Sequence, residues 1–302
     1  MPRLQKQAGK IEFITFTAAI SMIPNILHFV FGMAPDFGGK PFSLVHYISV
    51  RSAVGLNNPE KAFFHYQYEP EGYWWEQAKP LLTLNKIKAP EQVFGNPLCH
   101  VAHQADVVRL QMLKETGGIY MDLDTISVKP FTGLLQHSFV IGEEMKVTAA
   151  PKNWRQKLKQ NIRQWMGNSK ADTNGLCNAI LLSEKNSAFV NRWLDSYRSF
   201  RSKGRDKYWN EHSVLLPLTL AEEHPEELVT LGPYAFHYPL YHAEGLKLMF
   251  EETHDFHEAL AHHLWESFAW EPYMKNMDVQ SVLTKNTTYT LLARKYLPEP
   301  VS

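Results

Sequence analysis

The stretch that decides the fold runs from residue 105 to residue 124 and reads ADVVRLQMLKETGGIYMDLD. Its first part continues an apolar face that recurs at helical steps, which predicts a helix over residues 98–116. Gly117 and Gly118 would end this helix as a C-terminal glycine cap. The apolar residues 119–121 then begin a strand. The stretch therefore predicts a helix that returns directly to a buried strand.

The same alternation of helical periods and short apolar runs extends outward from this stretch. Buried strands are predicted over residues 26–31, 62–66 and 139–142. Helices are predicted over residues 42–56, 73–84 with an interruption at Pro80, 187–199 and 211–222. Alternating strands and helices favour an α/β fold with a mostly parallel central sheet flanked by helices.

The chain is predicted to form a single domain over residues 22–302, because no repeat or Pro/Gly/Ser-rich linker interrupts it. Residues 1–21 are predicted to be an N-terminal extension without structure. Residues 151–166 form a basic amphipathic segment. Such a helix can make peripheral contact with an anionic membrane. Packing on the domain with its basic face in water is the more common outcome.

Composition excludes several classes of protein. Of 302 residues, 31 are basic and 31 are acidic, so the formal net charge is zero. A dedicated nucleic-acid-binding protein needs a basic surface, so no nucleic acid is expected as a partner. The two cysteines, Cys99 and Cys177, are predicted to be buried thiols in a reducing compartment. No stretch reaches the ~20 apolar residues of a membrane span. The expected location is the cytoplasm, with peripheral contact at the inner face of the membrane.

Two acidic residues follow the central strand. Because side chains alternate along a strand, Tyr120, Asp122 and Asp124 are predicted to share one face. The carboxyl end of a parallel strand is where α/β sheets bind ligands. Carboxylate oxygens suit Mn²⁺ or Mg²⁺ better than Zn²⁺. The pattern predicts a divalent cation site that can hold a diphosphate.

The preceding helix contributes a second charged pair. Asp106 and Arg109 are three residues apart and share a helix face with the small residues Ala102 and Ala105. A carboxylate and a guanidinium together can bind several sugar hydroxyls. For any isolated pair at this spacing, an ordinary surface ion pair is the more common interpretation.

The helix, the glycine pair, the strand and the Asp-x-Asp together resemble the donor-sugar region of DXD glycosyltransferases, in particular glycosyltransferase family 32. Three further stretches are similar to that family, namely 23–28 (IPNILH), 231–239 (LGPYAFHYP) and 261–265 (AHHLW). The resemblance covers roughly residues 24–270. It implies a GT-A-like, Rossmann-like fold, a nucleotide-sugar donor, a divalent metal and retention of anomeric configuration.

The resemblance also implies a role for each matched residue. Asp122 and Asp124 would be the catalytic residues that contact the metal and the diphosphate, and His263 would be the third metal ligand. His28 would approach the nucleotide base at the end of the first strand. The residues implied to contact the donor sugar are Asp106, Arg109, Tyr120 and Asn178.

Some positions have a second interpretation. His262 is adjacent to His263 and could take its place, and Asn178 could instead cap a helix. Glu143 and Glu144 follow a strand and are candidate acceptor-side carboxylates. The histidines near residue 260 match no standard zinc spacing, and no cysteine is near them in the sequence.

Two other functions compete with glycosyl transfer. Residues 122–126 (DLDTI) also fit the first motif of haloacid-dehalogenase phosphatases, Asp-x-Asp-x-Thr/Val, in which the first aspartate is a nucleophile. That motif normally lies near the N-terminus, and the later acidic metal pair of those enzymes is missing here. The second alternative is a non-catalytic sugar-binding module. The favoured prediction is hexose transfer, from a UDP-hexose or else GDP-mannose, to a saccharide or glycolipid acceptor.

Overall fold

The computed structural model describes residues 23–146 and 173–298. The predicted N-terminal extension over 1–21 and the basic segment over 151–166 lie outside the described residues. In the described part of the chain, no helix combines the length and the apolarity needed to cross a bilayer.

Eleven strands are present in the described residues. They are β1 (Ile26–Phe31), β2 (Lys61–Tyr66), β3 (Thr83–Lys86), β4 (Gln92–Val93), β5 (Asn96–Pro97), β6 (Gly118–Met121), β7 (Thr125–Ser127), β8 (Phe139–Met145), β9 (Thr173–Ser183), β10 (Val229–Leu231) and β11 (Ala261–His263). Seven of them form one sheet in the order β10-β8-β9-β6-β1-β2-β3. Its strands pair in parallel, except that β9 runs antiparallel to both β6 and β8. The prediction of a mostly parallel α/β sheet is confirmed.

Helices cover both faces of this sheet. They are α1 (Leu44–Asn57), α2 (Tyr73–Ala78), α3 (Val101–Thr116), α4 (Ala188–Ser196), α5 (Leu216–Glu223), α6 (Ala243–Phe250), α7 (Glu266–Ala269), α8 (Val279–Thr284) and α9 (Thr288–Ala293). One apolar core contains Ile119 and Met121 of β6, whereas the other contains Tyr120. The alternation of side chains along β6 therefore supplies both cores.

The helix predicted over 73–84 is wrong in its second half. Helix α2 ends at Ala78, and Pro80 lies in a single 3₁₀ turn, Lys79–Leu81. Proline lacks the N–H that would continue an α-helix. The chain then forms β3, which pairs with β2 at the edge of the sheet. The four residues of β3 are a strand because they pair with β2. Local periodicity does not report such a pairing.

The glycine pair between α3 and β6 caps the carboxyl end of α3, as predicted. The Gly117 N–H donates to the Leu113 carbonyl at 2.8 Å. Both glycines have positive φ, +69° for Gly117 and +117° for Gly118. A Cβ atom on Gly118 would lie 2.5 Å from the Ile26 carbonyl oxygen of β1. Only glycine allows this close approach of the two backbones.

We expect Gly118→Ala to lower the free energy of unfolding by about 2–4 kcal/mol, because it combines backbone strain with a clash against β1. The measurement is urea denaturation monitored by circular dichroism. Gly133→Ala is the matched control, because a Cβ there would meet no atom within 4 Å. If Gly118→Ala lowered the free energy of unfolding no more than Gly133→Ala does, the expected clash would be contradicted.

Candidate active site

The Asp-x-Asp motif lies in the turn after β6. The strand ends at Met121, so the prediction that Tyr120, Asp122 and Asp124 alternate along one strand is wrong beyond that residue. The Asp122 N–H still donates to the Ala179 carbonyl of β9 at 2.8 Å. The Thr125 hydroxyl donates to the Asp122 carbonyl at 2.7 Å and closes the turn. The turn keeps both carboxylates at the carboxyl end of β6.

A short ribbon brings a histidine to this turn. β11 pairs antiparallel with β7, which places His263 opposite Thr125. The His263 Nε2 atom lies 3.2 Å from Asp124 Oδ2. By contrast, His262 Nδ1 lies 2.8 Å from the Tyr238 carbonyl oxygen. Of the two adjacent histidines, the structure therefore brings His263 to the aspartates.

Asp124 and His263 form a buried charged pair. Burial alone would lower the pKa of His263, but the neighbouring Asp124 raises that pKa well above its usual value. Burial would likewise raise the pKa of Asp124, and His263 together with the Glu266 N–H holds it below its usual value. The Glu266 N–H donates to Asp124 Oδ2 at 2.7 Å. Without a metal, both partners are therefore charged at neutral pH.

Arg109 joins α3 to the motif. Its guanidinium lies 3.2 Å from Asp106 Oδ1 and 3.3 Å from Asp122 Oδ1, and it donates to the Asn178 carbonyl at 2.7 Å. Only 5% of Arg109 is exposed, so the alternative of a surface ion pair with Asp106 is wrong. Burial opposes the charge, but Asp122 and its neighbours raise the pKa of Arg109 above its usual value. We call this group of Asp106, Arg109, Asp122 and Asn178 the buried clamp.

Tyr120 contacts the clamp, and Asn178 belongs to it. Tyr120 is 1% exposed, and its hydroxyl donates to Asp122 Oδ1. Its ring lies 4.4 Å from the Arg109 guanidinium. Tyr120 therefore has no surface that a sugar could contact, contrary to the prediction. Asn178 donates to Asp106 Oδ1 at 2.7 Å from within β9, so the predictions that it precedes or caps a helix are wrong.

His28 lies away from the position predicted for it. It is the third residue of β1, whose carboxyl end is Phe31, and it is 1% exposed. Its Nε2–H donates to the Gly117 carbonyl at 2.9 Å, and its Nδ1 accepts from His65 Nε2–H at 3.0 Å. His65 Nδ1 in turn accepts from the Asn85 amide at 2.9 Å. His28 therefore does not stand at a strand end, contrary to the prediction, and the described residues around it leave only 1% of it exposed to a nucleotide.

This histidine pair makes the fold sensitive to acid. Burial lowers the pKa of His28 to about 4 and that of His65 to about 3, against an ordinary value of 6.5. Below about pH 6.5 the unfolded chain binds protons that the folded chain does not, so stability is expected to fall as pH decreases toward about 4. Each histidine would contribute a slope of about 1.4 kcal/mol per pH unit. Urea denaturation across this range measures the slope.

His65→Gln isolates the effect, because an amide can replace both hydrogen bonds of the ring but cannot titrate. The slope of the variant's free energy of unfolding against pH is expected to be smaller than that of the wild type by the contribution of about one proton. His254→Gln changes an exposed histidine and should keep the full slope. Equal slopes in all three proteins would refute the assignment.

Two neighbouring cavities share the residues Trp209, Glu266 and Ser267, and one of them is lined by Asp124 of the motif. The first has a volume of about 320 Å³ and opens at the carboxyl end of β1, where Ala102 and Ala105 of α3 line it. The second has a volume of about 280 Å³ and is lined by Asp124, His263 and Glu144. The prediction that the small face of α3 leaves room for a ligand agrees with the first cavity.

Sequence reasoning missed Glu266, which lies between the two cavities. Its backbone N–H donates to Asp124, and its carboxylate contacts Lys40 at 3.1 Å and His46 at 2.8 Å. The available signal was its place directly after the stretch 261–265. Cys99 was also misjudged, because it is exposed, whereas Cys177 is buried as predicted.

Comparison with known proteins agrees with this geometry. The sequence model of the family described as "Glycosyltransferase sugar-binding region containing DXD motif" matches residues 55–141. Glucan organizing enzyme 1 of Cryptococcus neoformans var. grubii serotype A is 36% identical over 282 residues. That alignment spans 91% of this chain and 71% of the relative.

Several solved structures share part of the fold. Mouse xyloside xylosyltransferase 1 has a TM-score of 0.41 at 14% identity, over 82% of this chain and 99% of that one. Galactosyltransferase LgtC has a TM-score of 0.41 at 11% identity, over 91% and 98%. GlyE of Streptococcus pneumoniae TIGR4 has a TM-score of 0.44 at 11% identity, over 90% and 63%. We draw no functional conclusion from these partial likenesses.

The family assignment rests on the long alignment with the Cryptococcus protein and on the matched DXD region. Neither match supports a haloacid-dehalogenase phosphatase or a non-catalytic sugar-binding module. The chain belongs to the DXD-motif glycosyltransferases of family 32 and is a nucleotide-sugar glycosyltransferase with a GT-A-like fold.

Proposed function

We propose that this protein is a metal-dependent, retaining hexosyltransferase that uses a nucleotide sugar as donor and a saccharide or glycolipid as acceptor. The favoured donor is a UDP-hexose, with GDP-mannose as the alternative. The observation that carries the proposal is the meeting of Asp122, Asp124 and His263. One ligand atom from each of the three lies within 4.8 Å of the others. This group borders the second of the two joined cavities.

The residues present fit a divalent cation. Asp122 and Asp124 offer hard oxygen ligands and His263 offers one nitrogen, a set that suits Mn²⁺ or Mg²⁺ at the oxygens. With neutral His263, the carboxylates of Asp106, Asp122 and Asp124 exceed the single guanidinium of Arg109 by two charges. A divalent cation would cancel that excess. When bound, it would supply electrostatic stabilisation of the departing diphosphate.

The first cavity is the better candidate for the nucleotide. It opens at the carboxyl end of β1, where open α/β sheets bind ligands. Phe37 and Trp209 offer aromatic faces to a base, and Lys40 and Arg205 offer positive charge to phosphates. This arrangement supports a nucleotide at the end of β1, beyond the position of His28.

The buried clamp supports the donor-sugar assignment of Asp106, Arg109 and Asn178. Three of the five N–H groups of Arg109, on Nε and Nη1, donate to the Ala105 carbonyl, Asp122 and the Asn178 carbonyl. Its Nη2 group lies 3.2 Å from Asp106 Oδ1 and is the part left to donate to a sugar hydroxyl. We propose that Asp106 and Asn178 present the other polar atoms. Tyr120 acts through Asp122 and Arg109 as a positioning residue.

The second cavity is the better candidate for the acceptor. Trp209 and Tyr241 supply aromatic faces, and Glu144 and Asn174 supply polar groups, as is typical of sites that bind amphipathic ligands. Burial raises the pKa of Glu144, whose Oε1 accepts from the Asn174 amide at 2.7 Å. The name of the Cryptococcus relative, glucan organizing enzyme, favours a saccharide as acceptor.

No protein general base is proposed for the transfer. In a retaining reaction of this type, the acceptor hydroxyl attacks the face from which the diphosphate departs. A phosphate oxygen of the leaving group then accepts the hydroxyl proton. In this proposal the side chains bind donor and acceptor and orient them for the transfer.

A donor screen tests the proposal. The assay measures release of nucleoside diphosphate from UDP-glucose, UDP-galactose and GDP-mannose, with a panel of oligosaccharide acceptors, in Mn²⁺ and in EDTA. Expected are release with one donor class, loss of activity in EDTA, and a product whose anomeric proton shows retention by NMR. Full activity in EDTA would refute metal dependence, and an inverted product would refute the stereochemistry.

Peripheral membrane contact through 151–166 stays a prediction, testable by co-sedimentation with anionic vesicles.

A further inference from the structure

A second group of metal-ligating side chains lies next to the DXD turn. One potential ligand atom each from Cys177, His237 and His263 lies within 4.8 Å of the other two. The three residues come from β9, from the loop that precedes α6, and from β11. Sequence spacing gave no sign of this cluster, because 60 residues separate Cys177 from His237.

His237 is the most unusual member of the cluster. It is 0% exposed, and neither of its ring nitrogens has a hydrogen-bond partner among the described residues. A buried polar group without a partner is unfavourable, so each case needs an explanation. The Nδ1 atom of His263 is also buried without a partner among these residues.

The surrounding backbone makes room for the His237 ring. A Cβ atom on Gly142 of β8 would lie 3.0 Å from both Nε2 and Cδ2 of His237. Cys177 and His263 also line the second cavity, which offers a cation a path to the cluster. A cation that occupies this place would give a partner to one of the two His237 nitrogens and to Nδ1 of His263.

We propose that Cys177, His237 and His263 form a binding site for a soft or borderline divalent cation of the zinc class. A thiolate and two imidazoles are the donors that Zn²⁺ prefers, whereas the DXD carboxylates suit harder ions. Ligand atoms within 4.8 Å of one another can meet one ion at bonds of roughly 2.0–2.3 Å after shifts of roughly half an ångström. Binding would release the thiol proton to solvent.

Asp124 completes the proposed site from outside. His263 contacts Asp124 through Nε2, and its Nδ1 has no hydrogen-bond partner in the part of the chain that the structure describes. Ligation through Nδ1 would preserve the Asp124 contact and give the carboxylate–histidine–metal arrangement that is common at zinc sites. Because His263 also belongs to the DXD set, zinc and manganese are expected to compete. This competition rests on the proposed function, but the existence of the zinc site does not.

Cobalt is a direct probe, because Co²⁺ bound to thiolate absorbs in the near ultraviolet. The parent protein for the titration is Cys99→Ser, which removes the exposed thiol and leaves Cys177 alone. We expect one equivalent of Co²⁺ to produce the thiolate band and one equivalent of Zn²⁺ to abolish it. Cys177→Ser in that parent should lose the band. His237→Gln should weaken Co²⁺ binding by about tenfold or more.

Two further measurements keep the result unambiguous. His254→Gln alters an exposed histidine outside the cluster and should bind Co²⁺ like the parent. Zn²⁺ should raise the melting temperature of the parent but not that of His237→Gln, which separates metal binding from simple misfolding. A missing thiolate band in the folded parent, or an unchanged affinity in His237→Gln, would overturn the proposal. Either result would leave the transferase proposal untouched, since no donor is present.

Manganese release measures the competition separately. At room temperature free Mn²⁺ gives a strong electron paramagnetic resonance signal, whereas protein-bound Mn²⁺ gives almost none. Displacement of Mn²⁺ from the protein therefore restores the signal. Zn²⁺ is expected to displace Mn²⁺ from the parent protein. Simultaneous full occupancy by both ions would overturn the sharing of His263.

Discussion

Asp124→Asn is expected to reduce sugar transfer by about 10³-fold or more, equivalent to about 4 kcal/mol of transition-state stabilisation. Asp124 contacts His263 and lies in the turn with Asp122, so it holds one corner of the proposed cation site. The amide removes a negative charge and a hard oxygen while keeping the size of the side chain. Metal affinity should fall together with the turnover number.

The variant should still fold. Asp124 is not an exposed carboxylate, because its side chain is only 15% exposed and is paired with His263. The loss of that pair is expected to lower the free energy of unfolding by about 1–3 kcal/mol. The asparagine Oδ1 can still accept from the Glu266 N–H. A melting temperature lower by a few degrees, with unchanged circular dichroism, would agree with this expectation.

Transfer is measured as nucleoside diphosphate release with saturating donor, and Mn²⁺ binding by calorimetry. Asp195→Asn is the matched control, because Asp195 is exposed and forms a surface ion pair with Arg198. That control should retain wild-type activity. An Asp124→Asn protein that transfers sugar within about tenfold of wild type would remove Asp124 from the proposed cation site.

The largest effect on stability is expected for Arg109→Ala. Removing the guanidinium leaves the buried Asp106 and the partly buried Asp122, whose side chain is 26% exposed, without a counter-charge. Breaking a buried ion pair in this way lowers the free energy of unfolding by about 3–5 kcal/mol. Transfer should be abolished as well, because Arg109 orients Asp122 beside the cation site. A selective loss of sugar binding with full nucleotide binding is therefore not expected from this variant.

The pH dependence of this effect distinguishes lost charge from lost packing. Burial raises the pKa of Asp122, and Arg109 opposes that rise. Without Arg109, the folded-state pKa of this carboxyl rises further above its unfolded value. The loss in free energy of unfolding is then largest at pH values above the folded-state pKa of Asp122. It becomes smaller as the pH falls toward that pKa, because protonation removes the unpaired charge. Urea denaturation at about pH 7.5 and about pH 5 measures the change.

Arg198→Ala provides the comparison, because Arg198 makes an exposed pair with Asp195 at the same three-residue spacing. Exposed pairs of this kind contribute about 0–1 kcal/mol. A deficit for Arg109→Ala that is equal at both pH values would show that the residue acts through packing alone.

Local sequence was sufficient for the central unit of the fold. The apolar face of α3, the glycine pair and the apolar run of β6 each have a direct physical signal, and the structure contains all three. The position of Asp106 and Arg109 on one helix turn followed from spacing alone. Their burial did not, because it depends on β9 closing over them.

The errors have a common origin in pairing across the sheet. Asn178 reaches the site because β9 runs antiparallel to its neighbours, and no feature of residues 174–180 reports strand direction. His28 is buried because β2 brings His65 beside it. Cys177 of β9 and His237, which lies in the loop before α6, come close although they are far apart in the chain. Each of these contacts depends on tertiary structure, which spacing in a single sequence does not report.

The buried clamp also has an evolutionary consequence. Two carboxylates and one guanidinium that pair with one another cannot be exchanged one at a time without leaving a charge unpaired. Natural selection would therefore act on positions 106, 109 and 122 jointly. Among descendants of a common ancestor, these positions should change together or stay fixed together. A lineage that has lost the sugar-transfer activity should show the whole group replaced by apolar residues.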